Sequence, residues 1–288
     1  TERVPAPVFD TQVAAMVCGF GESVGYNNLV NQLLDKQIDK SVQFTDWTRR
    51  PLDARMLDYA LGDVTHLIEI YKILHAQLES KGRLSWVESE DAVLADPETY
   101  NIRPEEMWQK IKIRTDKPRV LAALKELAAW REREAQRRDQ PRNRVMRDDV
   151  LLDLVANRPR SVAALRELKR VNLDNRAAEG LIGAIDAAMA LPEEACPRLE
   201  PPAKLPKGIG PLVDLLRVLL RLASEEHDVA QRLIATTGDL EKIAAADDAA
   251  VPALRGWRRE VFGEAALALK HGELAIRANG RRVELIEA

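Results

Sequence analysis

Apolar residues recur at helical spacing along most of this chain, and the longest such run, residues 120–138, leaves little choice but a packed helix. Leu121, Leu124, Leu127, Ala128 and Trp130 fall on one side of it. Aromatic residues make up only 5% of the chain, and Ala and Leu fill its long segments, a balance that favours helix over sheet. Shorter helices at 148–157, 161–169 and 177–191 follow, so that residues 115–195 read as a compact helical domain with short links.

Before it, a turn at Pro5 and Pro7 leads into a short strand over 7–11. A helix at 12–20 is broken by Gly19, Gly21 and Gly25, and an amphipathic helix occupies 26–36. Residues 39–50 are polar and irregular, and Pro51-Leu52-Asp53 opens a helix that Gly82 ends. Its predicted buried stripe is Leu57, Ala60, Val64, Leu67, Ile68, Tyr71, Leu74 and Leu78. Tyr59, Asp63 and His66 lie off that stripe, facing solvent or a cleft. The charge turns acidic from Trp86 to Trp108, residues 96–114 read as a connector between domains, and the Pro-rich stretch 196–207 reads as a semi-rigid linker. Helices resume at 211–226, 229–235, 239–246 and 257–271, and their rhythm of long, short, short, long repeats that of the first bundle.

With 46% hydrophobic and 31% charged residues, the chain is long enough for two or three domains with sizeable cores. A net charge of −3 excludes a global cationic field, so nucleic-acid binding has to come from local basic patches. Cys18 and Cys196 read as two free thiols in a reducing compartment. No apolar run is long enough to span a membrane, the N-terminus is no signal peptide, and the chain opens without Met, as a trimmed chain would.

Tyr59 and Asp63 are one helical turn apart, which sets a phenol and a carboxylate on one helix face. A carboxylate can hold a divalent cation and a phenol can orient a water beside it. In isolation such a pair is usually a plain surface pair. Lys40, Arg49 and Arg50 are candidate phosphate contacts, although loop charges are more often merely solvated. Trp47 reads as a packing anchor ahead of a base-stacking platform, and Asp46 equally as a turn residue or a functional one. The cluster Arg131, Arg133, Arg137, Arg138, Arg142, Arg144 and Arg147 suits an RNA backbone, with Arg137 and Arg138 the candidate contacts, or a solvated helix with internal pairs.

The phrases Phe9-Asp10-Thr11-Gln12, Asp39-Lys40-Ser41, Thr45-Asp46-Trp47 with Arg50-Pro51-Leu52, and Tyr59-Ala60-x-x-Asp63-Val64 resemble bacterial ribonuclease D in order and spacing. Leu127-Ala128-Ala129-Trp130-Arg131-Glu132 resembles that family's helicase-and-RNase-D C-terminal (HRDC) domain. The resemblance implies a mainly α fold: residues 1–95 as the C-terminal remnant of an RNase H-like α/β exonuclease domain, 115–195 as one HRDC bundle and 208–288 as a second. It implies a cytoplasmic 3′→5′ exoribonuclease, monomeric when intact, that trims tRNA 3′ ends and releases 5′-mononucleotides. Two divalent cations, Mg or Mn, are held by four acidic residues beside a Tyr. Tyr59 and Asp63 match the last motif, with Asp63 a metal ligand. Asp10 is not one of the family's ligands, and the other three carboxylates have no counterpart here, so the chain alone is expected to be inactive. The competing expectations are a non-catalytic RNA-binding module of tandem HRDC bundles and, behind it, a protein-interaction scaffold.

Overall fold

The computed structural model describes residues 4–168, 170–199 and 205–288. Along the chain the helices are α1 Thr11–Val17, α2 Tyr26–Leu34, α3 Ala54–Thr65, α4 Leu67–Ser80, α5 Leu84–Ala95, α6 Pro118–Arg138, α7 Arg142–Val145, α8 Asp148–Asn157, α9 Val162–Glu167 and α10 Asn175–Ala190. They continue as α11 Gly210–His227, α12 Gln231–Ile234, α13 Thr237–Ala245, α14 Gly256–Arg258 and α15 Glu264–His271, the last two joined by a π turn at Arg259–Gly263. Strands β1 Leu274–Asn279 and β2 Arg282–Glu287 close the chain as an antiparallel hairpin. The fold is mainly α, as expected.

Two compact units result. One combines residues 1–100 with 204–288; the other is residues 101–203. In the first unit, α1, α2 and α4 bury Ala14, Ala15, Val17, Leu29, Val30, Ile70, Leu74 and Leu78 against one another. The segment expected to form a strand over 7–11 forms none: Thr11 already opens α1 and Asp10 caps it, accepting from the Gln12 and Val13 amides at 2.7 and 3.2 Å. The expected stripe on α3 and α4 also needs correction. Leu74 and Leu78 are buried, but Leu57, Val64, Ile68 and Tyr71 are 49%, 55%, 66% and 41% exposed, while Met56 and Ile70 take the buried places.

The predicted single helix is also interrupted, at His66. The Tyr26 hydroxyl accepts from the His66 amide at 3.2 Å and donates to the Gly62 carbonyl at 2.9 Å. In an unbroken helix that amide would bond that carbonyl directly. A hydroxyl inserted in the ladder ends α3 there and lets α4 begin at Leu67.

The second helical bundle is seated on the N-terminal helices within the same unit. Trp86 stacks on Trp257 with ring centroids 4.4 Å apart and planes 9° from parallel. Arg258 donates to Glu90 at 2.6 Å and to the Leu233 carbonyl at 2.7 Å. The Ala230 amide donates to the Met16 carbonyl at 3.0 Å, and Lys81 pairs with Asp228 at 2.9 Å. Gly19 is required at this seam. Its φ of +89° is in the left-handed region, and a Cβ there would overlap the Asp228 carboxylate.

The other unit is built on α6, whose Leu121, Leu124 and Leu127 pack with α8 and α10. Part of the expected connector belongs to this core. A 3₁₀ turn at Pro104–Lys110 buries Met107 and Trp108 against α6, which places these residues inside the bundle. Of the expected Pro-rich linker, Pro201 and Pro202 lie outside the described residues, as does Lys169 of the helix expected over 161–169. The hairpin lies beyond the last helix expected from the sequence. Its two-residue loop, Gly280–Arg281, has Gly280 at φ +63°, a conformation that glycine at the first loop position supplies without strain.

Candidate active-site wall

The loop ahead of α3 folds on its own short-range polar bonds. Asp39 accepts from the Ser41 amide and hydroxyl at 2.8 and 2.9 Å, and Arg55 donates to that hydroxyl at 2.9 Å. Asp46 accepts from the Thr48 amide and hydroxyl at 3.0 and 2.7 Å, the behaviour of a turn residue. Arg50 donates to the carbonyls of Trp47 and Arg49 at 2.9 and 2.8 Å. Asp53 then caps α3 by accepting from the Met56 amide at 2.9 Å.

This brings Trp47 onto Tyr59, with ring centroids 5.7 Å apart and planes at 44°. The indole is a packing anchor, and what it anchors is the phenol. Tyr59 is half-buried and Asp63, one turn on, is exposed. Partial removal from water, then the negative charge of Asp63, hold the Tyr59 hydroxyl above its ordinary range. A phenol so held stays protonated near neutrality. It can donate a hydrogen bond and orient a water, and it is a poor base. Tyr26, which sequence reasoning passed over as one more residue of an amphipathic helix, sets the end of α3 that carries Asp63. Its own hydroxyl is raised chiefly by burial, with the Asp63 charge acting in the same direction.

His66 is partly buried, with Nδ1 3.6 Å from the Glu69 carboxylate and no hydrogen-bond partner. Lys40 and Arg49 are exposed and meet no carboxylate among the described residues, whereas Arg50 is used in its own loop. Arg137 and Arg138, the candidate RNA contacts, are engaged within the bundle. Both bind Glu134, at 2.6 and 2.5 Å, and Arg138 also reaches Asp174 at 3.1 Å. Of the seven clustered arginines, only Arg144 meets no carboxylate among the described residues.

A pair of divalent cations needs several oxygen donors converging on one place. Among the described residues no group of three or more His, Cys, Asp or Glu is placed to hold a metal. The two Asp-x-Glu tripeptides of the chain lie in a 3₁₀ turn (Asp96-Pro97-Glu98) and in α13 (Asp239-Leu240-Glu241), neither on a strand nor beside Asp63 in the chain. The donor set present therefore does not fit a two-cation site. The cavity of about 700 Å³ in this unit is lined by α11 and the hairpin, not by Tyr59 or Asp63.

Comparison with known proteins supplies what this wall alone does not. Residues 2–79 match a 3′–5′ exonuclease family model, and residues 120–180 match the HRDC domain. Ribonuclease D of Gluconacetobacter diazotrophicus is 46% identical over 99% of this chain and 74% of its own length, and that of Nitrobacter hamburgensis is 46% identical over 99% and 75%. The crystal structure of Escherichia coli RNase D, described as an exoribonuclease involved in structured RNA processing, is similar with a TM-score of 0.69 and 29% identity, over 93% of this chain and 74% of that one. A Bifidobacterium adolescentis protein shares the fold at a TM-score of 0.69 and 20% identity. With an exonuclease segment carrying Tyr59 and Asp63 and an HRDC bundle built on α6, the chain belongs to the ribonuclease D family.

Proposed function

We propose that this chain carries the Tyr59–Asp63 wall of a 3′→5′ exoribonuclease that trims RNA ends, those of tRNA precursors among them, and releases 5′-mononucleotides. The observation that supports this most is local: a phenol packed against Trp47 and one helical turn from Asp63, inside the segment that matches the exonuclease model. The neutral phenol orients the attacking water, and Lys40 and Arg49 lie in the preceding loop as free cations for phosphate. Divalent cations, Mg or Mn, would supply charge stabilisation in the intact site, with Asp63 as one ligand. One carboxylate cannot hold two of them, so the partner acids come from outside these 288 residues, which alone do not hydrolyse RNA. We also read the bundle on α11 as a second HRDC-type domain, on the strength of its helix order. No helix among the described residues is long and apolar enough to cross a membrane. The reading includes a monomeric enzyme acting in the cytoplasm.

A 3′-end-labelled tRNA precursor tests this. The 288-residue chain with Mg²⁺ or Mn²⁺ should release no labelled mononucleotide, and release would overturn its dependence on further acids. In a polypeptide that supplies them, Tyr59→Phe should slow release about 10²-fold, through loss of the hydroxyl that orients the attacking water. An unchanged rate would remove Tyr59 from the site. If no polypeptide containing this sequence degrades RNA but the chain still binds it, the alternative of a non-catalytic binding module stands.

A further inference from the structure

The exposed face of α11 and the tip of the C-terminal hairpin enclose an open groove of about 700 Å³. Four guanidinium groups line it, those of Arg217 and Arg221 from the helix and of Arg281 and Arg282 from the hairpin. Arg217 is held by Asp214 at 2.5 Å. Arg221, Arg281 and Arg282 are exposed and meet no carboxylate among the described residues. This contrasts with the first bundle, where six of seven clustered arginines are paired within their own domain. Three unneutralised cations converging from two elements form a place for a polyanion. Glu225 and the already engaged Asp214 are the only acidic groups in the lining, which stays cationic.

We infer that this groove binds the phosphate backbone of single-stranded RNA, independently of the Tyr59–Asp63 wall. The volume exceeds what one phosphate fills, and the arginines are spread over two elements, which suits consecutive phosphates. The remaining lining, Val218, Leu222 and Val283, is aliphatic, so no aromatic ring is present to stack a base. Contacts of this kind carry no base preference and weaken with salt in proportion to the number of phosphates met. An acidic peptide is the rival occupant for the same charges, and competition by polyglutamate separates it from RNA.

The test is fluorescence anisotropy of a labelled mixed-sequence RNA 20-mer with the intact 288-residue chain across a salt series. The slope of log affinity against log salt should fall by about 2 on replacing Arg221, Arg281 and Arg282 together by Gln, since each single-strand phosphate contributes about 0.7. Arg221→Gln alone should lower it by about 0.7, and Arg221→Lys should restore it, which guards against misfolding of the triple variant. Arg176→Gln in the other unit and Asp63→Asn should leave it unchanged, so failure of the active-site reading would not imitate failure here. No RNA binding by the unmodified chain at low salt, an unchanged slope in the triple variant, or polyglutamate displacing RNA at equal charge concentration would each overturn the inference.

Discussion

The two helical bundles are built on one frame and filled differently. The same numbering offset relates Asp139 to Asp228, Arg142 to Gln231 and Asp148 to Thr237. Both Asp residues end a long helix in the left-handed conformation, at φ 49° and 50°, and both are followed by a four-residue helix, α7 or α12, and then a longer one, α8 or α13. At that offset Leu151 and Leu154 match Leu240 and Ile243, all buried. The difference is in the charges. On α6, Arg131, Glu132 and Glu134 are 2%, 5% and 8% exposed; at the matching places α11 has Leu220, an exposed Arg221 and Ala223. The first bundle draws its charges inward, where Arg131 holds the Met146 carbonyl at 3.0 Å and Asp148 at 2.7 Å. The second has an apolar residue at the matching interior places and leaves Arg217 and Arg221 of α11 exposed. The frame comes from caps and apolar spacing, and function is free to vary on the polar positions between them.

Arg131→Ala should break the comparison most strongly. It removes a large, fully buried side chain and strands the Met146 carbonyl, and should cost the first bundle about 3–5 kcal/mol in denaturant unfolding. Leu220→Ala, at the matching place, should cost the second about 2–4 kcal/mol with no polar group stranded. Equal losses rescued equally by Met at both positions would show that the buried guanidinium acts only by its volume.

Acid should separate the bundles next. Hydrogen bonding by Arg137 first, then by Arg138, outweighs burial and brings the Glu134 carboxyl down to about 2 from the usual 4.5. A group depressed in the folded state contributes stability that is complete above its unfolded pKa and is lost as pH falls from about 4.5 through about 2. With screening at the partly exposed Arg137, the loss should be about 2 kcal/mol. Ala223 gives the second bundle no counterpart. Hydrogen exchange of α6 amides across that window should show the loss, and Glu134→Gln should flatten it.

Gly19→Ala should weaken only the seat of the second bundle, by about 1–3 kcal/mol, through its positive φ and the overlap with Asp228. A differential change in α11 and α1 protection, with α6 unaffected, is the readout. The smallest effect belongs to the caps. Asp139→Gly should stabilise the first bundle by up to about 1 kcal/mol by relieving the left-handed residue. Asp228→Gly should gain less, because it also deletes the 2.9 Å pair with Lys81.

Much of this frame was legible in the sequence. The 3.6 spacing of Leu121, Leu124 and Leu127 located α6 to within two residues, and 148–157 came out as α8 without error. Long-range events were not legible. Nothing in the spacing of α3 and α4 announces that Tyr26, some forty residues earlier, breaks the helix at His66. The apolar stripe through Leu57, Val64 and Ile68 was genuine as a pattern but is not buried, since periodicity reports which face is apolar and not what covers it. The hairpin did leave a signal, Gly280-Arg281 with glycine at the first loop position and alternating apolar residues after it. At the site, Trp47 as an anchor could be read from its type, but the pairing of Arg137 and Arg138 with Glu134 depends on rotamers that spacing leaves open.

The central claim is that Asp63 belongs to the wall of an exoribonuclease site. The most direct measurement is the rate of mononucleotide release, by a cleavage-competent polypeptide containing this sequence, before and after Asp63→Asn. A fall of about 10²–10³-fold, the scale of losing one preorganised electrostatic contact, with RNA affinity unchanged, is the expected result. A rate that survives the substitution would contradict it.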